Sequence, residues 1–122
     1  MKVAVTGATG LVGGHVAGAL RDRGHDVGVL VRRRSAAPDG HRVVRGDIAS
    51  RADLAELLRG ADGLVHCAAP YSYELSAEEL TAAHVRGTRT VLEAAADAGV
   101  RRVVVTSSSV TCGSSSAPDV VD

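Results

Sequence analysis

Glycine lets a backbone approach a phosphate without a side chain in the way, and the sequence sets Gly7, Gly10 and Gly13 three residues apart, directly after the apolar run Val3-Ala4-Val5. The exposed N–H groups of a helix N-terminus favour negative charge, so strand, glycine turn and helix start together form a cradle for a nucleotide pyrophosphate. Gly7 permits the turn, Gly10 the close approach, and Gly13 the packing of helix on strand. Thr9, Leu11 and Val12 belong to the same cradle. The spacing Gly-x-x-Gly-x-x-Gly is one residue longer than the dinucleotide fingerprint Gly-x-Gly-x-x-Gly and keeps its division of labour. The competing reading is a glycine-rich loop with no ligand. The position between a strand and an amphipathic helix makes it the lesser one.

A second place with chemistry is Arg32-Arg33-Arg34, at the end of the apolar run Val27 to Val31. In such folds the residue at the tip of the second strand faces the adenosine ribose. An acid there would bond the ribose hydroxyls of NAD, whereas a base suits the additional phosphate of NADP. Arg32 is the expected phosphate contact, with Arg33 next. A solvated basic turn is the alternative for two of the three arginines.

These residues need elements to hold them. Lys2–Val5 reads as a strand apolar on both faces, as in a covered parallel sheet. Residues 11–23 read as a helix whose buried face is Val12, Val16, Ala19 and Leu20, stopped by Gly24. His15 and His25 are expected at the surface. Strands follow at 26–31 and 41–45, then a short helix capped by Ser50 with Leu54, Leu57 and Leu58 inward. The strand Leu64-Val65-His66 ends in Cys67-Ala68-Ala69-Pro70, small residues that leave room for a flat ligand. Ser76-Ala77-Glu78-Glu79 is a capping box, from which Leu80, His84, Gly87, Val91 and Ala95 run as one helical stripe to Gly99. Residues 102–106 form a fifth strand, and the polar stretch 114–122 is expected to be loosely ordered. Strands alternating with helices predict a doubly wound, Rossmann-type α/β fold: one parallel sheet in the order 3-2-1-4-5, its ligand crevice at the carboxyl ends between strands 1 and 4.

Composition narrows the partners. With 14 basic and 14 acidic residues among 122, the chain has no net field to steer nucleic acid or an anionic membrane. Its apolar runs are too short to span a bilayer, and Met1-Lys2 leads straight into a strand, so a soluble, cytoplasmic protein is expected. Cys67 and Cys112 make neither a disulfide framework nor a metal cluster.

The residues resemble the N-terminal part of the extended short-chain dehydrogenase/reductases, the epimerase/dehydratase and dihydroflavonol-reductase-like group. The resemblance rests on Thr6-Gly7-x-x-Gly10-x-x-Gly13, Gly46-Asp47-Ile48, His66-Cys67-Ala68-Ala69, Val85-Arg86-Gly87-Thr88 and Arg102 to Ser108, in family order over residues 1 to about 113, the expected extent of the cofactor-binding domain. It implies that Asp47 and Ile48 hold the adenine, Asp47 by accepting from its amino group. It further implies that Cys67, Ala68 and Ala69 line the ribose and nicotinamide side, that Thr106 ends the strand beneath it, and that Ser108 is the catalytic serine bonding a substrate carbonyl or hydroxyl. Ser107 and Ser109 are alternatives for that position.

The departures are as informative. The family's Tyr-x-x-x-Lys pair, in which lysine lowers the tyrosine pKa for proton transfer, is absent. Tyr71 and Tyr73 have no lysine nearby. Lys2, the only lysine, starts the first strand, about 13 Å from the crevice end. The family's helical asparagine is replaced by His84, which reads as a histidine on a helix face. If the chain stopped at residue 122, the run Val103-Val104-Val105 would be an uncovered edge, so the expectation is a piece of a longer reductase. Two functions follow: an NADP-dependent oxidoreductase acting on a small metabolite, with NAD and a nucleotide-sugar epimerase as variants, or a non-catalytic dinucleotide-binding sensor module. A homodimer is compatible with either.

Overall fold

The computed structural model describes residues 1–70 and 75–108. Tyr71, Tyr73, Ser109, Cys112 and the polar stretch 114–122 lie outside the described residues. Five strands, β1 (Lys2–Thr6), β2 (Asp26–Val31), β3 (Arg42–Arg45), β4 (Gly63–His66) and β5 (Arg102–Val105), form one sheet in the order β3-β2-β1-β4-β5. All four pairings are parallel. The expected order and direction are both present, and each strand boundary lies within one residue of its expected position.

Side chains alternate across the sheet, so each strand feeds two cores. On one face Ala4, Leu30, Val44 and Leu64 pack against α2 (Arg51–Leu58) through Leu54, Leu57 and Leu58, and against α4 (Thr88–Asp97) through Val91, Ala94 and Ala95. On the other, Val3, Val5, Val27, Val29 and Val31 meet α1 (Leu11–Asp22) through Ala17. The Ser50 hydroxyl accepts the Asp53 N–H and caps α2 as expected.

Two expectations about faces are corrected. The buried residues of α1 are Gly13 and Ala17, whereas Val12 is 56% exposed and Val16, Ala19 and Leu20 are only partly covered. The helix lies so close to the sheet that its contact line must be made of small residues, and that displaces the larger valine outward. The predicted single stripe from Leu80 to Ala95 is also broken. A short α3 (Ala77–Thr81), with its Ser76–Glu79 capping box formed, runs into a π-helical segment, Ala82–Gly87, before α4 begins. The wider i→i+5 winding inserts about one residue and turns the face. Gly87, Val91 and Ala95 are buried, but His84 is exposed and Leu80 half-buried. At the sheet edge, Val103, Val104 and Val105 are all exposed, as their edge position implies.

Candidate functional site

The loops at the carboxyl ends of β1 to β4 enclose a crevice of about 830 Å³. Its floor is the glycine turn. Gly7 has φ of +78°, a conformation that a side chain would strain, and a Cβ there would stand 2.6 Å from the Ala68 nitrogen. Strand β1 therefore ends flush against the Cys67–Ala68 backbone. A Cβ on Gly13 would stand 2.2 Å from the Gly7 carbonyl oxygen, so α1 reaches the turn only because that residue has none. Gly10 differs: its missing Cβ would meet only the Gly7 oxygen at 3.4 Å, and the residue lines the crevice. The protein's own packing does not require a glycine there.

Gly10 is also the N-cap of α1, where no side chain caps the helix and no acidic residue occupies the first turn. The first N–H groups of α1 are thus left for an external acceptor. Leu11 and Val12 flank this end as exposed residues outside the crevice lining, and Gly13 lies beneath it.

Arg32, Asp47 and Ile48 line the same crevice, with Arg86 of the π-helical segment and Gly87. Arg33 is exposed and does not line it. The turn that carries Arg32 is fixed by the Ser35 N–H to the Arg32 carbonyl at 3.0 Å, and by the Arg45 guanidinium donating to the Arg32 and Ser35 carbonyls. Asp47 is held at both ends. Its N–H donates to the Asp53 carboxylate at 3.0 Å, and its own Oδ1 accepts the Ala49 N–H at 2.8 Å. Ile48 packs on Gly87, where a Cβ would come within 2.9 Å of its Cδ1.

Cys67, Ala68 and Ala69 form the opposite side. Burial pushes the Cys67 thiol pKa up, and a hydrogen bond with the Thr106 side chain opposes this. Thr106 donates both its N–H, at 3.0 Å, and its hydroxyl, at 3.2 Å, to the His66 carbonyl. Thr106 and Ser108 are exposed and are not part of the crevice lining. Glu79 also lines it, its carboxyl pKa lowered by the Ser76 N–H and then by the Ser76 hydroxyl.

Sequence reasoning missed three contributors. Asp53, three residues after Ser50, carried the pattern of a capping box, yet its carboxylate serves Asp47 instead of closing that box. Arg86 was legible only as part of a motif. His66 closes an apolar strand, which is itself the signal: a histidine in a covered sheet needs partners. It has them in Thr6 and Thr88. Among the described residues no cluster could hold a metal ion, and no helix is long and apolar enough to cross a membrane.

A parallel 3-2-1-4-5 sheet with a glycine turn and an open helix N-terminus at its switch point defines a Rossmann-type nucleotide-binding protein. The model of the NAD dependent epimerase/dehydratase family matches residues 3–121, and the chain belongs to that family. It is 43% identical over 113 residues to sterol demethylase protein B of Methylococcus capsulatus, covering 88% of this chain and 34% of that one. It is 37% identical over 117 residues to cinnamoyl-CoA reductase 1 of Oryza sativa, covering 87% and 34%. Among solved structures it resembles a short-chain dehydrogenase/reductase superfamily protein of Agrobacterium tumefaciens with bound NAD: TM-score 0.82, 32% identity, covering 93% of this chain and 34% of that one. The chain thus spans about a third of the length of the relatives it matches.

Proposed function

We propose that the chain is the NADP-binding portion of an oxidoreductase that moves a hydride to or from a carbonyl or hydroxyl carbon of a small metabolite. The observation that carries this reading is the placement of Arg32, exposed at the end of β2, in one crevice with the Gly7–Gly10 turn. A guanidinium stands where an acid would hold the ribose hydroxyls of NAD, and its fork geometry suits a phosphate monoester.

The residues present fit a dinucleotide. Gly10 leaves a cradle that a side chain would fill, and the uncapped α1 N-terminus offers N–H donors to the pyrophosphate oxygens. Asp47, fixed by Ala49 and Asp53, presents its carboxylate to the adenine amino group, and Ile48 with Gly87 walls that end. Arg32 neutralises the ribose phosphate. Cys67, Ala68 and Ala69 flank the nicotinamide half, which when bound supplies the hydride donor or acceptor. Ser108, two residues beyond Thr106, is the residue this reading assigns to orienting the substrate oxygen. The 122 residues contain no Tyr-x-x-x-Lys, so in this reading the proton-transfer pair belongs to further sequence of the same protein.

Titration of the chain with NADPH and NADH, followed by nicotinamide fluorescence, tests the reading. The expected result is preferential NADPH binding, with Arg32→Ala losing about tenfold or more in NADPH affinity, the equivalent of about 1.4 kcal/mol, while NADH affinity is unchanged. Equal or better binding of NADH would overturn the NADP assignment. Absence of binding by a folded chain would overturn the cofactor reading as a whole.

A further inference from the structure

Three of the five sequence motifs contribute a polar side chain that nucleotide binding leaves unused: Thr6, His66 and Thr88. None lines the crevice. Thr6 is fully buried and His66 is 3% exposed, and the two stand opposite one another on β1 and β4. His66 Nδ1 lies 2.6 Å from Thr6 Oγ1, and its Nε2 lies 3.2 Å from Thr88 Oγ1. A neutral imidazole has one donor and one acceptor nitrogen, and a hydroxyl can serve as either. Both contacts are therefore satisfied whichever nitrogen carries the proton.

Thr88 is the first residue of α4, immediately after the π-helical segment. Ala82, Ala83, Arg86 and Gly87 of that segment form one wall of the crevice, and Gly87 is the surface on which Ile48 rests. A π-helical turn is a strained winding that persists where its surroundings hold it. Among the described residues, the contact between His66 and Thr88 is the side-chain hydrogen bond that ties this stretch to the sheet.

We propose that His66 is a positioning residue: gripped by Thr6, its imidazole holds Thr88 and so pins the π-helical wall, setting the width of the crevice on the side assigned to adenine. The proposal rests on the nucleotide-binding reading and adds to it a part for a residue that never touches the ligand. Its chemistry is a hydroxyl–imidazole–hydroxyl relay of position, in which no proton need move.

The test uses Thr88→Val, which keeps the volume and removes the hydroxyl, and Thr88→Ser, which restores it. ADP serves as a probe of the adenosine and pyrophosphate half, alongside NADPH, and amide hydrogen exchange follows residues 82–88. The expected result for Thr88→Val is at least fivefold weaker binding of ADP and NADPH by the same factor, with faster exchange at 82–88 and unchanged protection in β1 and β4. Thr88→Ser should restore both. Wild-type affinity in Thr88→Val, or loss of protection spread evenly through the sheet, would overturn the proposal. If the wild-type chain binds neither nucleotide, the cofactor reading fails by itself, and unchanged exchange at 82–88 in Thr88→Val would still overturn the clamp.

Discussion

On one face of the sheet Leu54, Leu57 and Leu58 of α2 are fully buried and interlock with Val91, Ala94 and Ala95 of α4. On the other, α1 brings only Gly13 and Ala17 into full burial, and the contact is made by backbone against backbone at the Gly7 carbonyl. The first face removes large apolar surface from water, so it supplies most of the stability per residue. The second gives up that gain and obtains closeness, which brings the N-terminus of α1 onto the turn after β1. The comparison separates two jobs that composition alone would merge under hydrophobic packing: one helix layer holds the sheet together, and the other aims a set of N–H donors.

The contrast is broken most directly by removing bulk from the first face. Leu57→Ala should cost about 2–5 kcal/mol in urea unfolding, because a fully buried leucine leaves a cavity its neighbours cannot fill. A loss below about 1 kcal/mol would mean that the leucine face is not the stabilising one. Adding bulk to the second face sharpens the same contrast. Gly13→Ala sets a methyl group against backbone, with no flexible side chain to give way, so α1 must shift. The expected stability cost, about 1–3 kcal/mol, is smaller, but nucleotide affinity should fall at least tenfold in the fraction that remains folded. Equal affinity in Gly13→Ala would show that the position of α1 is not what forms the cradle.

The same difference explains which parts of the fold were legible in the sequence. Leu54, Leu57 and Leu58 announce their face because bulk at helical spacing has one economical place to go. On α1 the periodicity of Val12, Val16, Ala19 and Leu20 pointed to a line of which Leu20 packs on the core and Val12 does not, because the fully buried face there is chosen by the small size of Gly13 and Ala17. The order of the sheet followed from alternation and handedness, which need no detail. The π-helical segment Ala82–Gly87 had no signature in the hydrophobic spacing, which reads as one continuous helix there. Gly7, Thr9, Gly10, Arg32, Asp47, Ile48, Cys67, Ala68 and Ala69, drawn from separate stretches of the sequence, line one crevice. What the motifs could not reveal is the support behind them: Asp53 turns back six residues to hold Asp47, and His66 on β4 meets Thr88 at the start of α4, 22 residues on.

His66 also gives the smallest expected effect, and one whose sign separates the two faces. Thr6 alternates with Val5 along β1, so the Thr6–His66 pair lies at the crevice end of the leucine face, where burial lowers the imidazole pKa below its ordinary value of 6.5. Above about pH 6.5 the ring is neutral in both the folded and the unfolded chain, and its contribution to stability is fully present. As the pH falls through that value toward the depressed folded pKa, the unfolded chain binds the proton first, so stability is lost. The slope from this one group cannot exceed about 1.4 kcal/mol per pH unit, and it flattens below the folded pKa. Urea unfolding from pH 7.5 to 5, with the His66 ring followed by NMR, should show the decline together with a titration midpoint below 6.5. A midpoint at or above 6.5 would mean that the imidazole accepts a charge where it sits. The leucine face would then end in a solvated group, and the burial that distinguishes it from the α1 face would not extend to the crevice.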